Sequence, residues 1–407
     1  MHNLPSIATD CFINPAFQRD EPYGSKRGEI LSATALAKAE AEITAWPGYR
    51  VTPQHALNDL AKALGVAAIH YKDEGTRFGL GSFKALGGAY AVGQLLCREL
   101  GGRFGRSLKT SDLLDAELRR ACADITVICA TDGNHGRSVA WGAQLFGCRC
   151  VIYIHASVSE GRKQAIEAFG ATVVRTAGNY DDAVRQADMD ARVHGRHVIS
   201  DTSYRGYMDV PRDVMQGYQL MVQESARQLD QWPTHVFVQA GVGGVAAAVC
   251  AYFWERDAKQ RPFFVVVEPT RADCLMQSAR NARLTAVTGE LDTLMAGLAC
   301  GEVSLLAWDI LERGANAFCT VDDAAAVAVM RLLANPLGQD PAIVAGESAV
   351  AGVAAAIGVL GDPQARKAFC LGPDSCILFF GSEADTDPVL YAQLVGASAA
   401  EVLTKER

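Results

Sequence analysis

The chain has 407 residues, of which 49% are hydrophobic and 21% are charged. It is long enough for two or three domains and too apolar for a disordered protein. The net charge of −8 argues against nucleic acid as the main partner. We expect neither a secretory signal nor contact with a membrane, because the N-terminal segment lacks a basic region followed by an apolar stretch, and no apolar run reaches the roughly 20 residues that span a bilayer.

Short β-rich runs alternate with longer alanine-rich runs along most of the chain. The pattern predicts strands at 125–130, 150–156, 171–177, 196–201, 235–240, 262–268 and 376–383, with helices between them that include 160–169 and 180–194. Strands that alternate with helices indicate βαβ units and parallel sheets. We therefore predict an α/β protein with two αβα domains, a large one of residues 1–85 plus 215–407 and a small one of residues 86–214.

The first motif is GSFKALGG at residues 81–88, in which Lys84 opens a helical run. If Lys84 lies among apolar neighbours, desolvation favours its uncharged form, and a neutral amine is what Schiff-base chemistry requires. Gly87 and Gly88 permit close backbone approach, although they weaken a helix. By itself the pattern favours a solvated lysine on a helix surface, so the chemical interpretation needs the other motifs.

The second motif, TDGNHG at residues 131–136, directly follows a predicted strand. In open α/β sheets, ligands bind at the carboxyl ends of strands. Asn134 is suited to hydrogen-bond an oxygen on a ring, and Asp132 to act as a base or to bind an ammonium group. An ordinary turn with a helix N-cap explains the same residues. We expect His135 to be a structural hydrogen-bonding residue rather than a catalyst.

The third motif, AGVGGVAAA at residues 240–248, also follows a strand and opens a helix. Consecutive N–H groups at a helix N-terminus make an anion site suited to a phosphate, and Gly241, Gly243 and Gly244 carry no side chain that would block its approach. A tight structural turn is the simpler alternative. A dinucleotide site with Glu268 at the end of the next strand is a third, but GVGGVA lacks the GxGxxG pattern, and this alternative leaves the first two motifs unexplained.

Together, and in this order, the motifs resemble fold type II enzymes that depend on pyridoxal 5′-phosphate (PLP), such as serine and threonine dehydratases and the tryptophan synthase β chain. The closer resemblance is to the diaminopropionate ammonia-lyases. It is carried by RFGLGSFKALGGAYA (77–91), ATDGNHGRSVAW (130–141), NYDDAV (179–184), DTSYRGY (201–207), VMQGY (214–218), VQAGVGG (238–244), VVVEP (265–269), MAGLACGE (295–302) and EADTDP (383–388). TDGNHG is the most specific, because simple dehydratases usually carry small hydroxyl or alanine residues where Asp132 stands.

The resemblance implies roles in binding the cofactor. Lys84 would hold PLP covalently, and Asn134 would contact an oxygen on its ring. Its phosphate would be bound by Gly241, Val242, Gly243, Gly244 and Val245. Ser382, which follows the strand CILFFG, would lie near the pyridine nitrogen.

The resemblance also implies a substrate and a reaction. Asp132 and Asp201 would face a small amino acid, and we expect elimination of ammonia from 2,3-diaminopropionate to give pyruvate. If the two carboxylates lie on opposite faces of the substrate, Asp132 would take the proton from the D isomer and Asp201 from the L isomer. By itself, the position of Asp201 at a strand end is also that of a turn residue.

Gly381 and Ala384 depart from the usual family pattern Ser-Thr-Glu-Gly-Asp-Thr-Asp-Pro, because the chain here reads GSEADTDP. A dehydratase, or another lyase that acts on a hydroxy or other β-substituted amino acid, is therefore an alternative. A PLP-binding protein without turnover is an alternative of another class. The presence of acid–base groups such as Asp132 and Asp201 argues against it, since a binding role needs none.

The 12 cysteines are scattered, and several lie in apolar runs, which is typical of buried thiols in a reducing compartment. We therefore expect a cytoplasmic protein. Cys148 and Cys150 are too close together for a zinc knuckle, so no metal site is predicted. Cys274 and Cys300 flank a polar segment and form a disulfide only if it folds back, which the sequence does not decide. We expect a homodimer, the commonest soluble assembly and the one that the resemblance implies.

Overall fold

The structure is a computed structural model that describes residues 4–131, 133–156, 158–178 and 180–404. Its contacts divide the chain into two units. The first unit comprises Met1–Ser32, Val51–Gly81 and Met221–Arg407, and the second comprises Ala33–Arg50 and Ser82–Leu220. Among the described residues, no helix is both long enough and apolar enough to cross a membrane.

The elements follow one another as an α/β chain. The strands are β1 (Asp10–Ile13), β2 (Gln54–Ala56), β3 (Ala68–Asp73), β4 (Thr126–Ala130), β5 (Arg149–Ile154), β6 (Thr172–Arg175), β7 (His197–Val198), β8 (His235–Gln239), β9 (Phe263–Pro269), β10 (Ala317–Val321) and β11 (Cys376–Gly381). The helices are α1 (Gly24–Gly28), α2 (Ala33–Ile43), α3 (Asn58–Leu64), α4 (Lys84–Phe104), α5 (Ala116–Cys122), α6 (Asn134–Phe146), α7 (Glu160–Glu167), α8 (Tyr180–His194), α9 (Asp209–Gln228), α10 (Gly244–Arg256), α11 (Cys274–Arg280), α12 (Leu305–Gly314), α13 (Asp323–Ala334), α14 (Ala351–Gly361), α15 (Pro363–Ala368), α16 (Pro388–Val395) and α17 (Ala399–Thr404).

The first unit is built on a mixed sheet. Among the residues described, its strand order is β1-β10-β9-β8-β11-β3-β2. The inner strands pair in parallel, and β1 and β2 pair antiparallel at the two edges. Strands β8, β10 and β11 are buried along their whole length. They read as unbroken apolar runs because both faces of a parallel sheet are covered.

The second unit is built on a parallel sheet with the order β6-β5-β4-β7. Helices α4 and α6 pack closely, because small residues lie where they meet. A Cβ added at Gly88 would lie 1.9 Å from Ser138 Oγ, and one added at Gly142 would lie 2.7 Å from the Cα of Ala89. Gly88, which weakens α4 as a helix, is therefore needed to bring its first turns next to α6.

The α/β fold with mostly parallel sheets is confirmed, and α8 has the bounds that the sequence predicts. The strand expected at 196–201 is shorter and covers His197–Val198. Residues 33–50, 82–85 and 215–220, all expected in the large domain, group with the second unit, so Lys84 lies in that unit. Residues 33–50 do so because Trp46 packs against Trp141 and Phe146 and donates a hydrogen bond to Thr110.

A buried charge network lies in the first unit, just before the segment that leads to Lys84. The Arg77 guanidinium contacts the Glu74 carboxylate at 2.8 Å and the Glu224 carboxylate at 2.6 Å. Lys72 Nζ lies 3.0 Å from Glu224. All four side chains are at most 2% exposed. Each charge therefore depends on its partners, because an unpaired buried charge is strongly unfavourable.

We predict that Arg77→Met destabilises the protein by about 3–5 kcal/mol, because it leaves two buried carboxylates without their shared cation. The measurement is the shift in the urea unfolding curve. Arg192→Met is the matched control: Arg192 pairs with Asp188 at the surface, so its loss is expected to cost at most about 1 kcal/mol. Equal shifts for the two variants would contradict this account of the network.

Candidate active site

Two predicted site residues follow neighbouring strands of the second unit. Strands β4 and β7 pair in parallel, so their carboxyl ends lie at one edge of the sheet. Asn134 begins α6 after β4, and Asp201 follows β7. Lys84 is the first residue of α4, as the sequence predicts. The packing of α4 on α6 brings Lys84 to the same edge, which is where ligands bind in open α/β sheets.

Lys84 and Asp201 form an ion pair, although they are 117 residues apart in the sequence. Lys84 Nζ donates a hydrogen bond of 2.7 Å to Asp201 Oδ2, and each side chain is 19% exposed. Lys84 therefore has a carboxylate as a partner in addition to aromatic neighbours. An ion pair favours the charged forms of both partners.

The Asp201 carboxyl has a pKa well below its usual range. Burial alone would raise this pKa, but the charge of Lys84, the charge of His135 and the hydrogen bond from Lys84 together outweigh burial. His135 Nδ1 lies 3.9 Å from Asp201, and His135 Nε2 lies 3.0 Å from the Ile199 carbonyl oxygen. His135 thus connects the start of α6 to the segment that carries Asp201, which agrees with its predicted structural role.

The start of α6 is held by Thr131, which is not singled out from the sequence. Thr131 Oγ1 accepts hydrogen bonds from the backbone N–H groups of Gly133 at 3.0 Å and Gly136 at 3.1 Å. A Cβ added at Gly136 would lie 2.2 Å from Thr131 Cγ2, so glycine is required there. Asp132 lies outside the described residues, and its role stays a prediction.

An aromatic wall lies beside Lys84. Lys84 Nζ is 5.5 Å from the ring centre of Phe83 and 5.7 Å from that of Tyr218, and the two rings are 4.6 Å apart. A Cβ added at Gly87 would lie 2.3 Å from the Tyr218 ring, and one at Gly217 would lie 1.9 Å from the Leu86 carbonyl oxygen. Tyr218 is not assigned from the sequence, although the GY pair at 217–218 is the available signal.

The glycine-rich loop of the first unit runs from the end of β8 into the 13-residue helix α10. Gly243 has a φ of +99°, in the left-handed region that favours glycine. A Cβ added at Gly241 would lie 2.9 Å from Cys300 Sγ and 3.2 Å from the Gly297 carbonyl oxygen. The first N–H groups of a helix have no intrahelical acceptor, so this loop can bind an anion.

Ser382 lies at the same edge of the first unit's sheet as this loop, because β11 and β8 are adjacent parallel strands. Gln239 Nε2 donates a hydrogen bond of 2.8 Å to Ser382 Oγ, and both side chains are buried. The Ser382 hydroxyl, already an acceptor from Gln239, keeps its own proton to donate to a ligand. Gln239 is the third residue, after Thr131 and Tyr218, that is not assigned from the sequence.

The geometry of the first unit bears on two possibilities that the sequence leaves open, a dinucleotide site at Glu268 and a disulfide between Cys274 and Cys300. Glu268 accepts hydrogen bonds of 2.8 Å from the backbone N–H groups of Leu275 and Met276, so its two oxygens stabilise the start of α11. This contact argues against its use in binding a ribose. Cys274 and Cys300 are not disulfide-bonded.

Known proteins resemble this chain in sequence and in fold. A family profile described as pyridoxal-phosphate dependent enzyme matches residues 45–372. The diaminopropionate ammonia-lyase of Escherichia coli strain K12 is 41% identical over 355 residues, which cover 86% of this chain and 88% of that protein. The holo crystal structure of the Escherichia coli enzyme has a TM-score of 0.86 and 36% identity over 97% of this chain and 98% of that one. A complex of the same enzyme with an aminoacrylate-PLP azomethine reaction intermediate has a TM-score of 0.85, with 36% identity and the same coverage.

We predict that Lys84→Ala reverses the sign of the contribution that Asp201 makes to the pH dependence of the free energy of unfolding. In the unaltered chain the pKa of Asp201 is lowered, so its stabilising contribution is present above the unfolded pKa of about 3.9 and is lost as pH falls through the folded value. Without Lys84, burial is expected to raise this pKa, so the variant loses stability as pH rises above about 4.

The measurement is the urea midpoint of cofactor-free protein from pH 4 to pH 7. The control is Lys84→Ala combined with Asp201→Asn, which removes the titrating group and should restore the slope of the other ionisable groups. A Lys84→Ala curve that stays parallel to that of the unaltered protein would contradict the predicted coupling.

Proposed function

The chain belongs to the family of pyridoxal-phosphate dependent enzymes, and we propose that it is an ammonia-lyase that converts 2,3-diaminopropionate to pyruvate and two molecules of ammonia. The observation that carries this proposal is its similarity to a diaminopropionate ammonia-lyase over most of both chains. The pairing of Lys84 with Asp201 supports it, because it supplies an amine and a carboxylate within one hydrogen bond of each other.

The residues present fit the cofactor. Lys84 would hold it through Nζ, and Asn134 would contact an oxygen on its ring. Residues 241–245 would bind its phosphate, since the glycines leave the N–H groups of a helix start open to an anion. Ser382, oriented by Gln239, would donate its hydroxyl hydrogen to the pyridine nitrogen.

The reaction requires removal of the Cα proton and departure of the β-amino group. Bound PLP supplies an electron sink for the negative charge that develops at Cα. We assign the proton transfer to the two carboxylates, Asp132 for the D isomer and Asp201 for the L isomer. A carboxylate also suits a substrate whose β-amino group is an ammonium, because charge-assisted hydrogen bonds are the stronger ones.

We also propose a homodimer in the cytoplasm. Homodimers are the commonest soluble oligomers. The reducing cytoplasm suits a chain in which the described cysteines carry no disulfide. We propose further that the two units correspond to the large cofactor-binding domain and the small domain expected from the sequence.

We predict that purified protein releases pyruvate and ammonia from both isomers of 2,3-diaminopropionate. The assay compares them with D- and L-serine, threonine and 3-hydroxyaspartate, with a lactate dehydrogenase readout for pyruvate. Faster turnover of a hydroxy amino acid would support the dehydratase alternative. A yellow protein that forms no keto acid from any of them would support cofactor binding without turnover.

We predict that Asp132→Asn and Asp201→Asn each lower the activity on a different isomer of 2,3-diaminopropionate. Each loses a general base, which is worth about a hundredfold or more in rate. Asp132→Asn is therefore expected to lower kcat/KM mainly for the D isomer, and Asp201→Asn mainly for the L isomer. The absorbance of bound cofactor controls for loss of PLP. An equal loss on both isomers in both variants would refute the assignment of one base to each face.

A further inference from the structure

A pair of cysteines in the first unit, on the edge strand β1 and on its neighbour β10, lies within bonding reach. Cys11 on β1 and Cys319 on β10 are direct partners in the antiparallel register, although 308 residues separate them in the sequence. Their Sγ atoms are 3.0 Å apart. Direct partners on antiparallel strands have Cα atoms about 4.5–5.5 Å apart, which falls within the range of about 4.4–6.8 Å that a disulfide spans.

The two thiols differ in a way that favours an ordered reaction. Cys319 is fully buried, whereas Cys11 is partly exposed on the edge strand of the sheet. The hydrogen bond with Cys319 lowers the pKa of the Cys11 thiol, although burial opposes this effect. Burial raises the pKa of Cys319. Because the thiolate is the reactive form, Cys11 is the residue that a small oxidant meets first.

We propose that Cys11 and Cys319 form a reversible cross-strand disulfide when the protein meets a peroxide. The Cys11 thiolate attacks one oxygen of hydrogen peroxide, the O–O bond breaks, and Cys11 becomes a sulfenic acid as hydroxide leaves. Cys319 Sγ then attacks Cys11 Sγ, the S–O bond breaks, and the hydroxyl leaves as water with the Cys319 proton. In total, two thiols are oxidised by two electrons and one peroxide is reduced to two molecules of water.

The bond would fix the N-terminal strand to the sheet. Strand β1 has four residues and forms a ladder with β10. Its contact with α11, the Asp10–Arg280 ion pair at 2.6 Å, is partly exposed, so it holds the strand weakly. A disulfide that closes a loop of this length restricts the unfolded chain strongly. The oxidised protein therefore retains its N-terminal segment under conditions that release it from the reduced one.

The test uses the holoenzyme and does not depend on its substrate. Folded protein is treated with hydrogen peroxide, remaining thiols are blocked with N-ethylmaleimide, and the chain is digested with trypsin under non-reducing conditions. Cys11 lies in the tryptic peptide 1–19 and Cys319 in the peptide 314–331, and each peptide contains one cysteine. We expect these two peptides to appear joined, with the loss of two hydrogens, and to separate on treatment with dithiothreitol.

Exposed Cys370 reports general oxidation within the same sample. The joined peptides are expected before Cys370 is fully oxidised, and Cys11→Ser or Cys319→Ser should each abolish them. The proposal would be overturned if Cys370 is completely oxidised while peptides 1–19 and 314–331 are still recovered separately, each carrying N-ethylmaleimide on its cysteine. The recovery of Cys11 joined mainly to a cysteine other than Cys319 would overturn it as well. Both outcomes are read from the unaltered chain, so they do not depend on how the serine variants fold.

Discussion

The ion pair between Lys84 and Asp201 is the interaction on which the second unit's site depends. It joins the first residue of α4 to a residue that follows β7, and no local sequence pattern connects them. For the two atoms to lie 2.7 Å apart, α4 must approach α6 closely at its first turns. Gly88 allows this approach, because any side chain there would overlap Ser138. The helix-weakening Gly88 and the contact between Lys84 and Asp201 are thus parts of one requirement.

In the first unit, too, the fold brings residues that are distant in the sequence to one edge of a sheet. Adjacent parallel strands deliver their carboxyl-terminal residues to one edge, so the glycine-rich loop after β8 and Ser382 after β11 share that edge. Gln239 connects them, since its amide donates to Ser382 and its backbone leads directly into the loop. Each unit therefore concentrates its polar and flexible residues where a parallel sheet is open to ligands.

Much of this organisation is readable from the sequence, because it follows local patterns. Apolar runs predict the strands, and glycines after a strand predict the turn between β8 and α10. The position of Tyr218 beside Lys84 is not predictable in this way, because it depends on contacts between α4 and α9, which are distant in the sequence. The grouping of residues 33–50 with the second unit is not predictable for the same reason. It depends on the packing of Trp46 against α6, and sequence periodicity does not indicate which residues a tryptophan contacts.

The departures at Gly381 and Ala384 bear on how far the substrate pocket differs from that of related enzymes. A Cβ at Gly381 would lie 2.2 Å from Tyr71 Oη, so glycine at this position accompanies a buried tyrosine on the neighbouring strand. The Ala384 N–H donates a hydrogen bond of 2.8 Å to the Gly81 carbonyl oxygen, a backbone contact that does not depend on which side chain is present. Both departures are thus accommodated by packing around the strand end. Ser382 lies between them, and its hydroxyl keeps the contact with Gln239 at the strand end.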